Sequence, residues 1–242
     1  MSEQAGSARV ALITGGSRGI GSALIERFRE GGFEVAAFAR SPVDSPHAAF
    51  SKVCDVSDAA QVKAGIAEVV ARFGRLDVVV NNAGQAGVNS LDPEDDDAFW
   101  NQVIAVNLNG TYLVSKHALP HLPDRTGRII NIASVLALKG APDQTAYTAA
   151  KHGVIGFTRA LALHVAPRGI TVNAICPGWT RTAMAEGRMR DLGLDAEALA
   201  RSVPLGRMLE PREVAEMAFT LAGEGMAGVT GQALVIDGGA LA

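Results

Sequence analysis

The sequence is short of cysteines and aromatics, and it contains no long unbroken apolar run. Its two cysteines, Cys54 and Cys176, lack the CxxC or metal-ligand spacing of a redox or zinc site and read as buried structural thiols. Aromatic residues make up 5% of the chain against 48% hydrophobic residues overall, which leaves the core largely to aliphatic side chains. No apolar stretch approaches the ~20 residues of a membrane span. The first eight residues are small and polar, without the basic start and apolar core of a signal peptide. A net charge of −3 offers no electrostatic attraction for nucleic acid or an anionic membrane. His47, His117, His121, His152 and His164 show no ligand spacing with paired carboxylates, and Glu94-Asp95-Asp96-Asp97 reads as charge at a helix N-terminus. No metal site, nucleic acid or membrane partner is expected. The balance is that of a soluble, cytoplasmic protein of 242 residues, long enough for one large α/β domain.

What is present is alternation. A β-branched run at residues 9–14 breaks at Gly15-Gly16 and leads into a helical pattern at 20–29. Strands are expected at 34–39, 53–56, 76–80, 127–133, 170–176 and 233–236. Helices are expected from a Ser57 cap to about 73, at 98–119, 147–165 and 211–222. Residues 177–204 read as irregular, with one short helix at 195–201. Strand, helix and strand throughout, with no repeat or linker, predict a Rossmann-type doubly wound parallel sheet of seven strands. Helices cover both faces in a three-layer α/β/α single domain spanning 1–242.

Two local patterns carry chemistry. In Thr14-Gly15-Gly16-Ser17-Arg18-Gly19-Ile20-Gly21 a strand turns into a helix through glycines that let the backbone approach a pyrophosphate, and the helix N-terminus offers free N–H groups. The second is Tyr147-Thr148-Ala149-Ala150-Lys151. A tyrosine and a lysine four residues apart share one helix face. An ammonium beside a phenol favours the phenolate, so Lys151 is expected to draw the Tyr147 pKa down from ~10 towards the working range of an acid/base catalyst.

These motifs, with Asn81-Asn82-Ala83-Gly84, Asn107, Ser134 and Pro177-Gly178, lie in the order and spacing of the short-chain dehydrogenase/reductase family, which the chain resembles over nearly its whole length. The resemblance implies that Gly15, Ser17, Arg18, Gly19, Ile20 and Gly21 hold the cofactor pyrophosphate. It places Asp55 and Val56 by the adenine, Asn81, Ala83 and Gly84 at the fourth strand's end, and Pro177, Gly178, Thr180 and Thr182 beside the nicotinamide. It assigns proton transfer to Tyr147, cofactor binding and proton relay to Lys151, orientation of the substrate oxygen to Ser134, and a relay water to Asn107.

Charge argues for the cofactor's form. The second strand ends at Phe38-Ala39-Arg40 with no acid until Asp44, and Arg18 approaches from the glycine turn. Two guanidinium groups suit a 2′-phosphate, so NADP(H) is expected over NAD(H). Residues 183–203 correspond to the family's variable substrate lid, with Met184, Met189, Leu192 and Leu194 as apolar lining or ordinary packing. Trp179 is placed to flank substrate, and Arg188 and Arg190 read either as partners of an anionic substrate or as solvated charge. Residues 127–134, 151–156 and 170–178 look most like 3-oxoacyl thioester reductases and aromatic polyketide ketoreductases. A 3-oxoacyl thioester or similar hydrophobic ketone is therefore expected as substrate, with Arg125 and Arg128 as weak candidates for docking an acidic carrier protein. The alternatives are a catabolic dehydrogenase of a hydrophobic secondary alcohol or hydroxyacyl-CoA, and a non-catalytic NADP-binding sensor on the same fold. A homotetramer is expected by resemblance, with close helix approach at Ala149, Ala150, Ala160 and Ala162.

Overall fold

In the computed structural model, which describes residues 8–242, seven parallel strands form one sheet in the order β3-β2-β1-β4-β5-β6-β7. The expectation about a leader rests on the N-terminal residues and lies largely outside the described ones. The strands are β1 (Val10–Thr14), β2 (Glu34–Ala39), β3 (Phe50–Val53), β4 (Val78–Asn81), β5 (Arg128–Ile132), β6 (Thr171–Pro177) and β7 (Ala233–Ile236). The order reverses between β1 and β4, which opens a crevice at the strands' carboxyl ends.

Apolar side chains on the two sheet faces build two cores. Leu12, Phe38, Val79 and Ile129 join one, and Ala11, Ile13, Val35 and Ile130 join the other. Each of the larger ones, the Val, Leu, Ile and Phe side chains, contributes roughly 1.5–3 kcal/mol when taken from water, before the entropy of ordering it. The covering helices are α1 (Gly19–Glu30), α2 (Ala59–Phe73), α3 (Ala98–Ile104), α4 (Gly110–Ala118), α5 (Thr145–Val165) and α8 (Pro211–Leu221), with α6 (Ala183–Leu192) and α7 (Ala196–Arg201) over the carboxyl edge. Among the described residues, no helix is long and apolar enough to cross a membrane.

The structure departs from the sequence expectations in four places. β3 lies at Phe50–Val53 rather than 53–56, because its register pairs Phe50 with Ala36 and Val53 with Ala39. The cap of α2 is Asp58, whose carboxylate accepts from the backbone N–H groups of Ala60 and Gln61. The helix expected at 98–119 is interrupted by a π turn, Ala105–Asn109, between α3 and α4. The lid holds α6 as well as α7. Thr182 caps α6 by accepting from Ala185 N, and Gly193 ends it in a left-handed conformation at φ 64°.

A buried polar chain ties the layers together. Asn81 Nδ2 on β4 donates to Ser115 Oγ on α4 and to Asn131 Oδ1 on β5. Asn131 Nδ2 donates to Thr158 Oγ1 on α5. Truncating the middle link strands one Asn81 proton away from water and removes the donor to Thr158 Oγ1, which keeps only its own bond to the Val154 carbonyl. Asn131→Ala is expected to lower unfolding stability by about 1–3 kcal/mol in urea titration; an unchanged midpoint would contradict this role for the chain.

Candidate active site

One cleft of about 1030 Å³ runs along the carboxyl edge of the sheet. At one end, β1 meets α1 through the glycine turn. Gly15 sits at φ 70°, and a Cβ there would come 2.8 Å from Ala83 Cα, so the turn and the loop after β4 touch backbone to backbone. Thr14, which the sequence analysis gave no role, holds that contact: its Oγ1 accepts from Asn82 N and Ala83 N, both at 3.0 Å. Asn82 completes the clasp by donating from Nδ2 to the carbonyls of Thr14 and Gly15. The N-cap of α1, Arg18, makes no side-chain capping bond, and the first turn carries no acid, so the helix N–H groups remain available to an anion.

Of the expected cofactor residues, Gly15, Ser17, Arg18, Gly19, Ile20, Gly21, Arg40, Asp55, Val56, Ala83, Gly84, Pro177, Gly178, Thr180 and Thr182 all line this cleft. Arg18 and Arg40 are exposed, and neither has an ion-pair partner among the described residues. A dinucleotide fits this arrangement: uncapped helix N–H groups at the glycine turn, open guanidinium groups beyond it, and a deep cleft towards Tyr147. Asn81 does not line the cleft; it is buried in the polar chain and acts on the site by fixing β4 against β5.

At the other end stand Ser134, Tyr147 and Lys151. Ser134 follows β5 and caps a short 3-10 turn, its Oγ accepting from Leu136 N. Tyr147 and Lys151 lie on α5, whose first turn is tied down by a residue the sequence analysis passed over. Asn89, in the loop after β4, accepts from Ala146 N and donates to Thr145 Oγ1. Lys151 is 4% exposed, and its Nζ donates to the Ile132 carbonyl at 2.8 Å. The same Nζ lies 5.5 Å from the centre of the Tyr147 ring.

Electrostatics reverse one expectation. Burial pushes the Tyr147 phenol up to about 12, opposed only by its hydrogen bond with Ser134. Burial also pulls Lys151 down to about 8, opposed by the neighbouring Cys176. Desolvation therefore sets the direction of the phenol's shift, opposite to the one expected from the helix spacing. Cys54 and Cys176 are both free and buried, and burial raises both thiols.

Asn107 lies behind the cleft wall inside the π turn. Its Nδ2 donates to the carbonyls of Gln85 and Val103, and its Oδ1 accepts from Gln85 N. Thr111 Oγ1 bonds the Asn107 carbonyl. A Cβ on Gly84 would reach 2.9 Å from Asn107 Oδ1 and 3.7 Å from Lys151 Nζ, so glycine lets the loop after β4 pass between them. Trp179, after β6, and Met184, Leu192 and Arg188 of the lid line the cleft, whereas Met189 packs beside Ala185, Leu199 and Met208 and Leu194 is exposed. Arg128 is a correction: it is 2% exposed at the start of β5, bonded to the carbonyls of Arg125 and Gly127. It cannot meet a carrier protein.

The buried ammonium has a measurable consequence. In the pH range from about 8 to ~10.4 the folded chain releases the Lys151 proton while the unfolded chain keeps it, so this group makes stability rise with pH across that range. Lys151→Met is expected to remove that rise, on the order of 3 kcal/mol, and to raise stability at pH 7. Denaturant titrations of both proteins at pH 7, 8, 9 and 10 check it; parallel pH profiles would contradict it.

Comparison with known proteins agrees with this geometry. The family described as enoyl-(acyl carrier protein) reductase matches residues 15–240. The chain is 39% identical over 241 residues to the 3-oxoacyl-[acyl-carrier-protein] reductase FabG of Vibrio harveyi, covering 96% of each. It is also 39% identical over 241 residues to the acetoacetyl-CoA reductase of Shinella zoogloeoides, covering 96% of this chain and 98% of that one. Among solved structures, a variant of actinorhodin polyketide ketoreductase with NADPH superposes with a TM-score of 0.88 at 37% identity, covering 96% and 97% of the two chains. The ligand-free aldohexose dehydrogenase of Thermoplasma acidophilum superposes with a TM-score of 0.91 at 33% identity, covering 96% and 94%. With its parallel sheet and carboxyl-edge cleft, the chain belongs to the short-chain dehydrogenase/reductase family and is an oxidoreductase that acts on CH–OH or keto groups with a nicotinamide cofactor.

Proposed function

We propose that the enzyme reduces a ketone to a secondary alcohol with NADPH, with Tyr147 as proton donor. The observation that carries this reading is the meeting of Ser134, Tyr147 and a buried Lys151 on one cleft wall opposite the glycine turn. The bound cofactor supplies a hydride to the carbonyl carbon. Everything else falls to the protein. Ser134 holds the substrate oxygen by hydrogen bonding. A phenol held near 12 is fully protonated at neutral pH and ready to give its proton to the developing alkoxide. Lys151, near 8, is still mostly charged there and steadies the phenolate left behind, where water is excluded and the interaction is correspondingly strong. Its second role is to bind the nicotinamide ribose. Asn107 continues the proton path from behind the wall.

Arg18 and Arg40 support NADPH over NADH, because both line the cleft without an ion-pair partner among the described residues and Arg40 directly follows β2, where an NAD site needs a carboxylate. The activities that name the related reductases of Vibrio harveyi and Shinella zoogloeoides support a 3-oxoacyl thioester or similar ketone as substrate. A homotetramer is supported by the outer face of α4 and α5, where Tyr112 stacks edge-on against Phe157 and Leu163 is 79% exposed. Of the alanines expected to allow helix approach, Ala150 and Ala162 instead face this chain's own core.

Two outcomes test the reading. Tyr147→Phe is expected to abolish ketone-dependent NADPH oxidation while NADPH binding, followed by fluorescence, persists; near-normal turnover would overturn the assignment. The wild type is expected to use NADPH with the higher kcat/KM. Arg40→Asp should cost about 10–100-fold of it, the worth of one guanidinium–phosphate contact. A wild type equally fast with NADH would contradict the preference.

A further inference from the structure

Beyond Tyr147 the cleft runs on between α6 and the loop that enters α5, a part the proton transfer does not use. Arg188 of α6 and Gln144 of the loop both line it. Arg188 Nη2 donates to Asp143 Oδ2 at 2.5 Å, and the side chain keeps only 15% exposure. Its Nη1 is buried and has no hydrogen-bond partner among the described residues. Gln144 lies beside it: the residue is 4% exposed, its backbone N donates to Ala141 O, and its side chain lines the same part of the cleft. Buried polar groups are nearly always bonded, and a donor left open inside a ligand cleft points to an acceptor on the ligand. The positions are not loose. Asp143 is held from behind, its carbonyl accepting from Asn89 N at 3.1 Å, and Asn89 in turn secures the start of α5.

Charge decides which acceptor fits. The Asp143 carboxylate already neutralises the guanidinium, so what is unmet at Nη1 is a hydrogen bond and not a charge. A substrate carboxylate would bring a second negative group beside Asp143. A carbonyl or hydroxyl oxygen would take the open proton without that repulsion. We propose that Arg188 is a specificity-determining residue whose Nη1 binds a second, uncharged oxygen of the substrate, distinct from the carbonyl being reduced, and that Asp143 is the positioning residue that aims it. The substrate class is then a ketone with a nearby carbonyl or hydroxyl, rather than an isolated hydrophobic ketone or a keto acid. This inference rests on the ketone-reductase reading above.

The test compares kcat/KM with NADPH for ethyl 3-oxohexanoate, for 4-nonanone, which matches it in chain length, and for the shorter carboxylate 3-oxohexanoate. An ester is intrinsically the more reactive ketone, so the readout is the change in the ester-to-nonanone ratio on mutation. Arg188→Met is expected to lower that ratio at least tenfold, chiefly through KM of the ester. Arg188→Lys should recover part of it, and Asp143→Asn should fall between wild type and Arg188→Met. Thermal unfolding with and without NADPH confirms that each variant is folded. Equal losses on ester and nonanone would make Arg188–Asp143 a lid clasp and overturn the proposal. So would a wild type that prefers 3-oxohexanoate to the ester. A wild type that binds NADPH and reduces none of the three defeats the ketone-reductase reading itself and this inference with it, and is told apart because no variant is needed to see it.

Discussion

A single buried ammonium sets the terms for the rest of the site. Among the described residues, Lys151 has one hydrogen bond, to the Ile132 carbonyl, and an aromatic ring centre at 5.5 Å. Taking a charge out of water with so little compensation is costly, and the lowered pKa is the mark of that cost. The fold tolerates it because α5 is packed onto β5 and β6 and anchored at its start by Asn89. On the proposed reading, a ribose hydroxyl and a transient phenolate would accept from this ammonium. A buried charge of this kind is expected where function and stability compete.

The supporting structure works towards the same end. The π turn lets Asn107 face the loop after β4 instead of solvent, and its side chain is held by three bonds. Wide turns of this kind often mark functional positions because they re-aim one residue within an otherwise regular helix. The chain Asn81–Asn131–Thr158 fixes β4, β5 and α5 relative to one another. Small errors in that framework would move the phenol relative to a bound carbonyl, and near-attack geometry tolerates little displacement.

Much of this was legible in the sequence. Aliphatic runs separated by helical periods gave seven parallel strands, since strands buried on both faces need no alternation. The glycine turn and the Tyr147–Lys151 spacing are local signals and were readable as such. What escaped reading was set by distant partners. The β3 register depends on pairing with β2, and the π turn at Ala105–Asn109 carries no composition cue. Asn89 caps a helix 56 residues further on, which no local pattern reveals. The phenol's direction of shift was misjudged because charge proximity shows in a helix spacing, whereas depth of burial does not. Arg128 was taken for a surface cation for the same reason.

The central claim is hydride transfer from the nicotinamide to a ketone carbon, completed by a proton from Tyr147. The most direct measurement incubates the enzyme with ethyl 3-oxohexanoate and NADPH carrying deuterium at both C4 positions of the nicotinamide, then locates the label in the product by NMR. The account predicts one deuterium on the carbinol carbon and none on the hydroxyl-bearing chain elsewhere. Alcohol formed without deuterium at that carbon, or label lost to solvent, would contradict it.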